Sequence, residues 1–231
     1  MKKLCLIALV SACAQTDSSD ALTSGMYAQL GATSTGGDTT SVHATLFFGN
    51  PINLNFVNLT GDDELMATHG GQDKVMIESE LLNIVSHRAE FVGDNEEGAE
   101  FEIAFLRTVD AGAPLSIATL PAKFAIDAPP TTSSRAAALT VTWSPSGTAD
   151  QMTWTAKGEC IEDAQGSVPG DPGTVSVLAN ALVKRQGVVA DTCGVNFELT
   201  RARAGVLDTH YGKGGIISGQ QVRSVTFSST P

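Results

Sequence analysis

Hydrophobic and polar residues alternate with a period of two along most of the chain, a pattern that predicts β-strands separated by turns. An opening hairpin is predicted where MYAQLGATS (26–34) and SVHATLFF (41–48) flank the glycine-rich turn TGGDTT. Five further strands are predicted at FEIAF, LTVTW, MTWTA, VNFEL and VTF. The apolar residues expected to face the core in them are Phe101, Ile103, Phe105, Leu139, Val141, Trp143, Met152, Trp154, Ala156, Val195, Phe197, Leu199, Val225 and Phe227.

Two segments fit more than one kind of element. ESELLNIVSHRAEF (78–91) fits a helical turn or a strand, because its apolar residues satisfy both periods. VSVLANALVKRQ (175–186) permits a helix, but the flanking GDPG and QG turns favour a strand. Short strands spaced by turns, with almost no helix, are typical of an all-β sandwich.

In VNFEL every second residue is expected to face the core, and the same spacing continues to Arg201 and Arg203. Two cations therefore occupy positions that should be apolar. We expect the strand to extend beyond the core there, so that both side chains emerge into solvent. Two alternatives are a bulge that turns the chain and an exposed ladder of cations for an acidic partner.

A cluster of prolines in TLPAKFAIDAPPTTSS (119–134) marks the best domain boundary, because proline is excluded from central strands. It predicts a linker and the first edge strand of a second domain. We therefore divide the body into two tandem antiparallel β-sandwich domains, 25–121 and 122–231.

The second half resembles an immunoglobulin-like or fibronectin-like sandwich, with about seven candidate strands. The antibody-type signature is absent, because both tryptophans precede Cys160 and no tyrosine lies two residues before Cys193. The stretches LPAKFAIDAP, LTVTWSPSGTADQMTW and QVRSVTFSS make the whole chain similar to two-domain surface lipoproteins of Gram-negative bacteria. That likeness is structural in character and implies no activity.

The amino terminus has the order of a processed export signal. Lys2 and Lys3 precede the apolar run Leu4 to Val10, which is too short to span a bilayer, and Ser11-Ala12-Cys13 follows. This resembles a bacterial lipoprotein signal with its lipobox. The resemblance implies a signal peptide over 1–12, cleavage before Cys13, acyl chains on Cys13 and membrane attachment through them.

The residues after Cys13 add a destination and a spacer. In the lipoprotein class an aspartate after the acylated cysteine favours inner-membrane retention, so Ala14 and Gln15 imply the outer membrane. The sequence is compatible with both the periplasmic face of that membrane and the cell surface. Residues 13–24 contain small polar side chains and are expected to form a flexible tether.

Charge and cysteine content narrow the function further. The formal net charge is −11, and loss of Lys2 and Lys3 with the signal would make it −13, which disfavours nucleic acid as a partner. With Cys5 lost and Cys13 acylated, Cys160 and Cys193 remain, and a single pair in an exported chain most simply forms a disulfide. A free thiol pair and a metal site are the alternatives.

Candidate chemistry is sparse. The sequence has no nucleophile elbow, phosphate-binding loop, paired metal-binding histidines or zinc-type cysteine spacing. The four histidines, His43, His69, His87 and His210, lie far apart, and His43 is expected at the surface. No catalytic residue, metal ligand or cofactor site is assigned, and the chain is not expected to be an enzyme.

Two acidic loops, 61–64 and 94–97, have the oxygen donors that calcium prefers, although solvated turns explain them more simply. A glycan site would need an exposed aromatic platform, and both tryptophans are predicted to face inward. The sequence therefore predicts a lipid-anchored envelope protein with a non-catalytic structural, adhesive or interaction role. Its partner could be an envelope protein or a glycan, and the alternative function is a calcium- or glycan-binding surface module.

Overall fold

Strands form almost all of the regular structure. The computed structural model describes residues 14–53, 55–127 and 131–231, and within these ranges it has eighteen strands and three short 3₁₀ helices. The strands are β1 (Ala14–Asp17), β2 (Met26–Ser34), β3 (Thr39–Phe48), β4 (Asn55–Asn58), β5 (Glu64–His69), β6 (Gln72–Val75), β7 (Ile77–Leu81), β8 (Ile84–Val92), β9 (Glu100–Leu106), β10 (Ala113–Thr119), β11 (Ala125–Ile126), β12 (Thr132–Ser134), β13 (Leu139–Ser144), β14 (Gln151–Gly158), β15 (Ala164–Val168), β16 (Thr174–Val177), β17 (Cys193–Ala204) and β18 (Gly215–Thr230). The 3₁₀ helices are η1 (Ser18–Asp20), η2 (Thr23–Gly25) and η3 (Pro51–Asn53).

These strands form one large sheet and two small ones that cover it. The large sheet has eleven strands, with the main order β1-β4-β3-β2-β18-β17-β14-β15, and β7, β8 and β12 join at its sides. A four-stranded sheet, β10-β9-β5-β6, and a three-stranded sheet, β11-β13-β16, complete the fold. Most pairs are antiparallel, and the all-β sandwich class predicted from the alternation is confirmed.

Two hydrophobic cores lie between these layers. The first core packs β2, β3 and β8 against β5, β9 and β10, with Phe101, Ile103 and Phe105 buried at its centre. The second core packs β13 and β16 against β14, β17 and the end of β18. Tyr211 and Ile217, from the C-terminal part of the chain, belong to the first core.

Strand β18 links both parts of the large sheet. Its first half, Gly215 to Gln221, pairs in parallel with β2, and its end pairs in parallel with β12. Along its other edge it pairs with the whole of β17. The division into domains at 121 and 122 stays a prediction, and in the structure one continuous strand crosses between the two cores.

The predicted strands appear where the alternation placed them. The opening hairpin is β2 and β3, and the other five segments lie in β9, β13, β14, β17 and β18. Nearly all the expected inward residues are buried, whereas Trp154 and Val225 are half-buried. The short strand β11 lies at a sheet edge, as the neighbouring prolines indicated.

Both ambiguous segments are resolved without helix. Residues 77–92 form a hairpin, β7 and β8, that closes through Leu82 and Asn83. In the second segment only β16, ending at Val177, is a strand. The chain then turns at Asn180, which has a positive φ of 63°.

Residues 14–24 differ from the flexible tether that their composition predicted. Strand β1 pairs in parallel with β4, and Ser18, Ala21 and Thr23 are buried. The Thr23 hydroxyl donates a hydrogen bond of 2.6 Å to the carbonyl oxygen of Ala111. Small polar residues are typical of tethers, but here specific backbone partners hold them against the body.

Candidate functional site

The predicted anchoring residue, Cys13, lies outside the described residues, and the chain that follows it is fixed. Ala14 pairs with Asn55 as the first residue of β1. The Gln15 side chain donates to Oε1 of Glu80 at 2.8 Å, and Asn58 donates to Asp17 at 3.1 Å. The described chain therefore begins at the edge of the large sheet.

A buried arginine holds the segment after β1. The Arg107 guanidinium donates to Asp63 at 3.0 Å, to the carbonyl of Ala21 at 2.9 Å and to the carbonyl of Ser18 at 2.6 Å. Its side chain is almost fully buried and makes a second ion pair with Asp110. Charge-assisted bonds of this kind are strong and directional, so they explain why η1 and η2 are ordered.

The disulfide between Cys160 and Cys193 is present, with the two Cα atoms 5.7 Å apart. It joins the turn after β14 to the first residue of β17, which are neighbouring strands of the large sheet. Closing a loop of this length should stabilise the fold by about 3–4 kcal/mol in the chain-entropy model. The prediction of a paired Cys160 and Cys193 is confirmed.

Arg201 is fully buried, so the prediction that it emerges into solvent is wrong. Its guanidinium donates to Asp171 at 2.8 Å and to the carbonyl oxygens of Ala122 and Pro145 at 2.8 and 2.7 Å. It also lies over the Phe124 ring, 4.9 Å from the centroid. The alternation of inward and outward residues along β17 had indicated this position, because it places Arg201 on the core face, where the side chain meets an acidic partner.

Asp171 is the centre of this buried network. It accepts hydrogen bonds from Nε1 of Trp143 at 2.7 Å and from the amide and hydroxyl of Thr148 at 3.1 and 2.8 Å. Burial by itself would raise the pKa of Asp171, but these bonds and the charge of Arg201 hold the pKa below its usual value. The network connects the turn after β13 and the turn before β16 with strand β17.

Arg203 joins the two parts of the chain. Its guanidinium makes two bonds to Asp150, at 2.8 and 2.9 Å, and a third to Glu97 at 2.9 Å. The hydrogen bonds to Asp150 and then to Glu97 raise the pKa of Arg203 above its ordinary value. The expected acidic partner exists, but it belongs to the same chain, so the arginines do not form a free ladder.

Three carboxylates of the two acidic loops are bonded to arginine or lysine of the same chain. The pairs are Asp63 with Arg107, Glu96 with Lys123 and Glu97 with Arg203. Among the residues that the structure describes, no group of three or more histidine, cysteine, aspartate or glutamate side chains could hold a metal ion. The calcium alternative therefore has no donor cluster in this part of the chain.

The tryptophans do not form an exposed platform of the kind that glycans stack on. Trp143 is only 3% exposed and donates to Asp171. Trp154 is half-buried and stacks on Phe197, with ring centroids 5.6 Å apart, and its indole covers Gly166. Both rings are used in packing.

The histidines have structural partners. Nδ1 of His69 lies 2.7 Å from the Glu100 carbonyl oxygen, and its ring stacks on Phe101. His87 is buried; burial lowers its pKa, and nearby Glu78 offsets part of that effect. His43 lies at the surface of β3, as its strand position predicted.

One histidine is paired with a carboxylate. Nδ1 of His210 lies 2.7 Å from Oδ1 of Asp208, which also accepts from the backbone amide of His210. The other Asp208 oxygen accepts from the Leu115 amide at 2.8 Å. These bonds make Asp208 a turn-capping residue that ties the 205–214 loop to β10.

None of the helices in the described ranges is long and apolar enough to cross a membrane.

No family model and no curated protein matches the chain. Solved structures are similar at low identity. A titin fragment has 10% identity and a TM-score of 0.27 over 88% of this chain and 96% of its own. Tandem immunoglobulin repeats of Dlar have 12% identity and a TM-score of 0.31 over 85% and 98%. Murine CEACAM1b has 9% identity and a TM-score of 0.21 over 87% and 99%. Similarity at such low TM-scores assigns no family, so the fold is defined by its own sheets.

Proposed function

We propose that the protein is a lipid-anchored envelope protein with a non-catalytic structural, adhesive or interaction role. The observation that carries the proposal is the order of Lys2-Lys3, a seven-residue apolar run and Ser11-Ala12-Cys13. Cleavage before Cys13 and acylation of its thiol would leave two or three fatty chains. Two or more chains anchor a protein stably to a membrane, whereas a single chain binds only reversibly.

The arrangement after Cys13 supports this proposal. Ala14 is exposed and begins β1 at the edge of the large sheet, so the described chain starts at a surface edge. Ala14 and Gln15 also lack the acidic charge associated with inner-membrane retention, so we propose the outer membrane as the destination.

The non-catalytic role is supported by how the reactive side chains are used. His69, His87 and His210 contact structural partners, and three of the loop carboxylates are bound to arginine or lysine. A β-sandwich offers broad sheet faces and loops, which suit contact with another envelope component.

The experiment compares Cys13→Ser with Cys5→Ser in the native host. Cys13→Ser should move the protein from the membrane fraction to the soluble fraction, because the acceptor thiol is lost. Cys5→Ser changes the other signal-region cysteine and should leave membrane attachment intact. The intact mass of the purified wild-type protein should show cleavage before Cys13 and added acyl chains. An unmodified Cys13, or a membrane-bound Cys13→Ser protein, would refute the anchor.

The destination has its own test. Ala14→Asp should shift the protein from outer-membrane to inner-membrane fractions on a density gradient, whereas Ala14→Asn should not. If both variants fractionate as the wild type does, the proposed sorting signal is wrong.

A further inference from the structure

Four exposed apolar side chains lie near the start of the described chain, and we name them the anchor-end patch. They are Ile52, Leu81, Leu82 and Ile84, which are 86%, 70%, 82% and 44% exposed. Single exposed apolar residues are ordinary, but several at neighbouring loop tips mark an interaction surface.

The first described strand, β1, lies between the two parts of the patch. The Gln15 amide donates to Glu80 at 2.8 Å and to the carbonyl of Asn83 at 3.4 Å, so β1 contacts the tip of the β7–β8 hairpin. On the other side, Ala14 pairs with Asn55. Ile52 precedes Asn55 by three residues, so their Cα atoms are within about 11 Å of each other.

The hairpin tip keeps an unfavourable residue. Leu81 pairs with Ile84, which leaves a two-residue turn of Leu82 and Asn83 with φ angles of 52° and 64°. Turns with two positive φ angles favour Asn-Gly, and a bulky residue at positive φ is strained. Strained residues of this kind cluster at functional sites, and Leu82 places its side chain in solvent.

Charge around the patch argues against an electrostatic partner. Glu78 and Glu80 are on β7, and the hairpin's arginine, Arg88, pairs with Ile77 at the far end from the tip. An anionic surface would therefore be held by apolar contact, not by attraction between opposite charges.

We infer that the anchor-end patch inserts into the surface of the lipid bilayer beside the acyl chains on Cys13. This inference rests on the proposed anchor, because only acylation of Cys13 brings the bilayer to this end of the molecule. The patch would then fix the orientation of the body on the membrane. Side chains inserted in this way reach about 5–10 Å into the boundary between headgroups and acyl chains.

The test uses the acylated protein reconstituted into vesicles of phosphatidylethanolamine and phosphatidylglycerol. A single cysteine is introduced by Leu82→Cys and labelled with an environment-sensitive fluorophore. The matched control is Val189→Cys, which is 93% exposed in a loop by the second core. Spin-labelled lipids should quench the label at position 82 and not the label at 189. A spin label near the headgroup should quench more than one at the acyl-chain end, and added salt should change neither result.

Three outcomes would overturn the inference. If the protein binds vesicles but is quenched equally at both positions, the proposed anchor would stand and the insertion of the anchor-end patch would be refuted. A blue shift at position 82 without vesicles that grows with protein concentration would make the partner a second copy of this chain. Protein that does not float with vesicles would refute the anchor itself.

A second variant guards against disruption by the label. The label is placed at Ile52→Cys, and the tip is changed by Leu81→Ser and Leu82→Gly. Glycine adopts the left-handed backbone freely, so the hairpin should keep its fold and circular dichroism should be unchanged. Quenching at position 52 should fall relative to the unchanged tip, and undiminished quenching would contradict a shared membrane contact.

Discussion

The ion pair between Arg201 and Asp171 joins two fully buried side chains beside the second core. Asp171→Ala would leave the guanidinium buried without its counter-charge and would remove the partner of Trp143. We expect a loss of about 3–5 kcal/mol in the free energy of unfolding, measured by urea denaturation.

The matched control for this loss is Asp163→Ala. Asp163 pairs with Arg185 at the surface, where both side chains are well exposed. Exposed pairs contribute about 0–1 kcal/mol, so this variant should unfold close to the wild type. Equal losses of unfolding free energy in Asp171→Ala and Asp163→Ala would show that burial does not determine how much Asp171 contributes to stability.

The lowered pKa of Asp171 also predicts a pH dependence. A carboxyl whose folded pKa lies below its unfolded value of about 3.9 stabilises the fold above that value. The stabilisation is lost as the pH falls through the folded pKa. The difference in unfolding free energy between wild type and Asp171→Asn should therefore be constant from pH 7 to about pH 5 and shrink below about pH 4. A difference that persists unchanged at lower pH would contradict the lowered pKa.

At this scale the sequence predicted the direction of Arg201 but not its environment. The period of β17 placed the side chain on the core face, and burial without a partner is costly, so solvent exposure was the simpler expectation. Asp171 lies 30 residues earlier, in a turn between proline and glycine residues. No local pattern joins two such positions, because only the packing of the three-stranded sheet on the large sheet brings them together.

Among the elements, β18 packs unusually close to β10. A Cβ atom built at Gly219 would lie 2.0 Å from the Thr119 carbonyl oxygen, a backbone atom that cannot move aside. Gly219→Ala should therefore lower the free energy of unfolding by about 3 kcal/mol, at the upper end of overpacking costs. Urea denaturation measures this change.

Gly194→Ala is the control for that substitution, because Gly194 is also in a long strand and nothing lies within 4 Å of its added Cβ. Its stability should stay within about 0.5 kcal/mol of the wild type, as at other open surface positions. A similar loss in both variants would mean that backbone conformation, and not close approach, explains the effect.

Alternation with a period of two predicted most strands, but it did not predict how long each strand is or which strands pair with each other. The β7–β8 hairpin was ambiguous because its turn is Leu-Asn, whereas Asn-Gly is the residue pair that identifies such turns in a sequence. Only VTF indicated β18, a strand of sixteen residues. Its parallel partners, β2 and β12, lie far away in sequence, and parallel pairing leaves no short turn to recognise.

At the scale of the whole molecule, β18 couples the two cores. Sixteen residues of strand span about 50 Å, and this strand contributes Ile217 to the first core and Phe227 to the second. Arg203 on β17 adds a bond to Glu97. A force applied at one core, or the effect of a partner that binds there, would therefore reach the other core through a continuous sheet and not through a flexible linker.

This coupling predicts that the two cores unfold together. Ile217→Ala removes a buried side chain from the first core, which should cost about 2–5 kcal/mol. Both tryptophans lie around the second core, so their fluorescence reports on that part alone. We expect Ile217→Ala to lower the urea midpoint measured by tryptophan fluorescence as much as the midpoint measured by circular dichroism.

Ile216→Ala tests whether this effect comes from the first core. Ile216 is the neighbouring residue on β18 and is 59% exposed, so its removal should leave both midpoints nearly unchanged. If the cores were independent, Ile217→Ala would make the circular dichroism transition biphasic and leave the fluorescence midpoint at its wild-type value. Coincident shifts would instead mean that β18 makes the body one cooperative unit, because the fluorescence change arises in a core that the substitution does not touch.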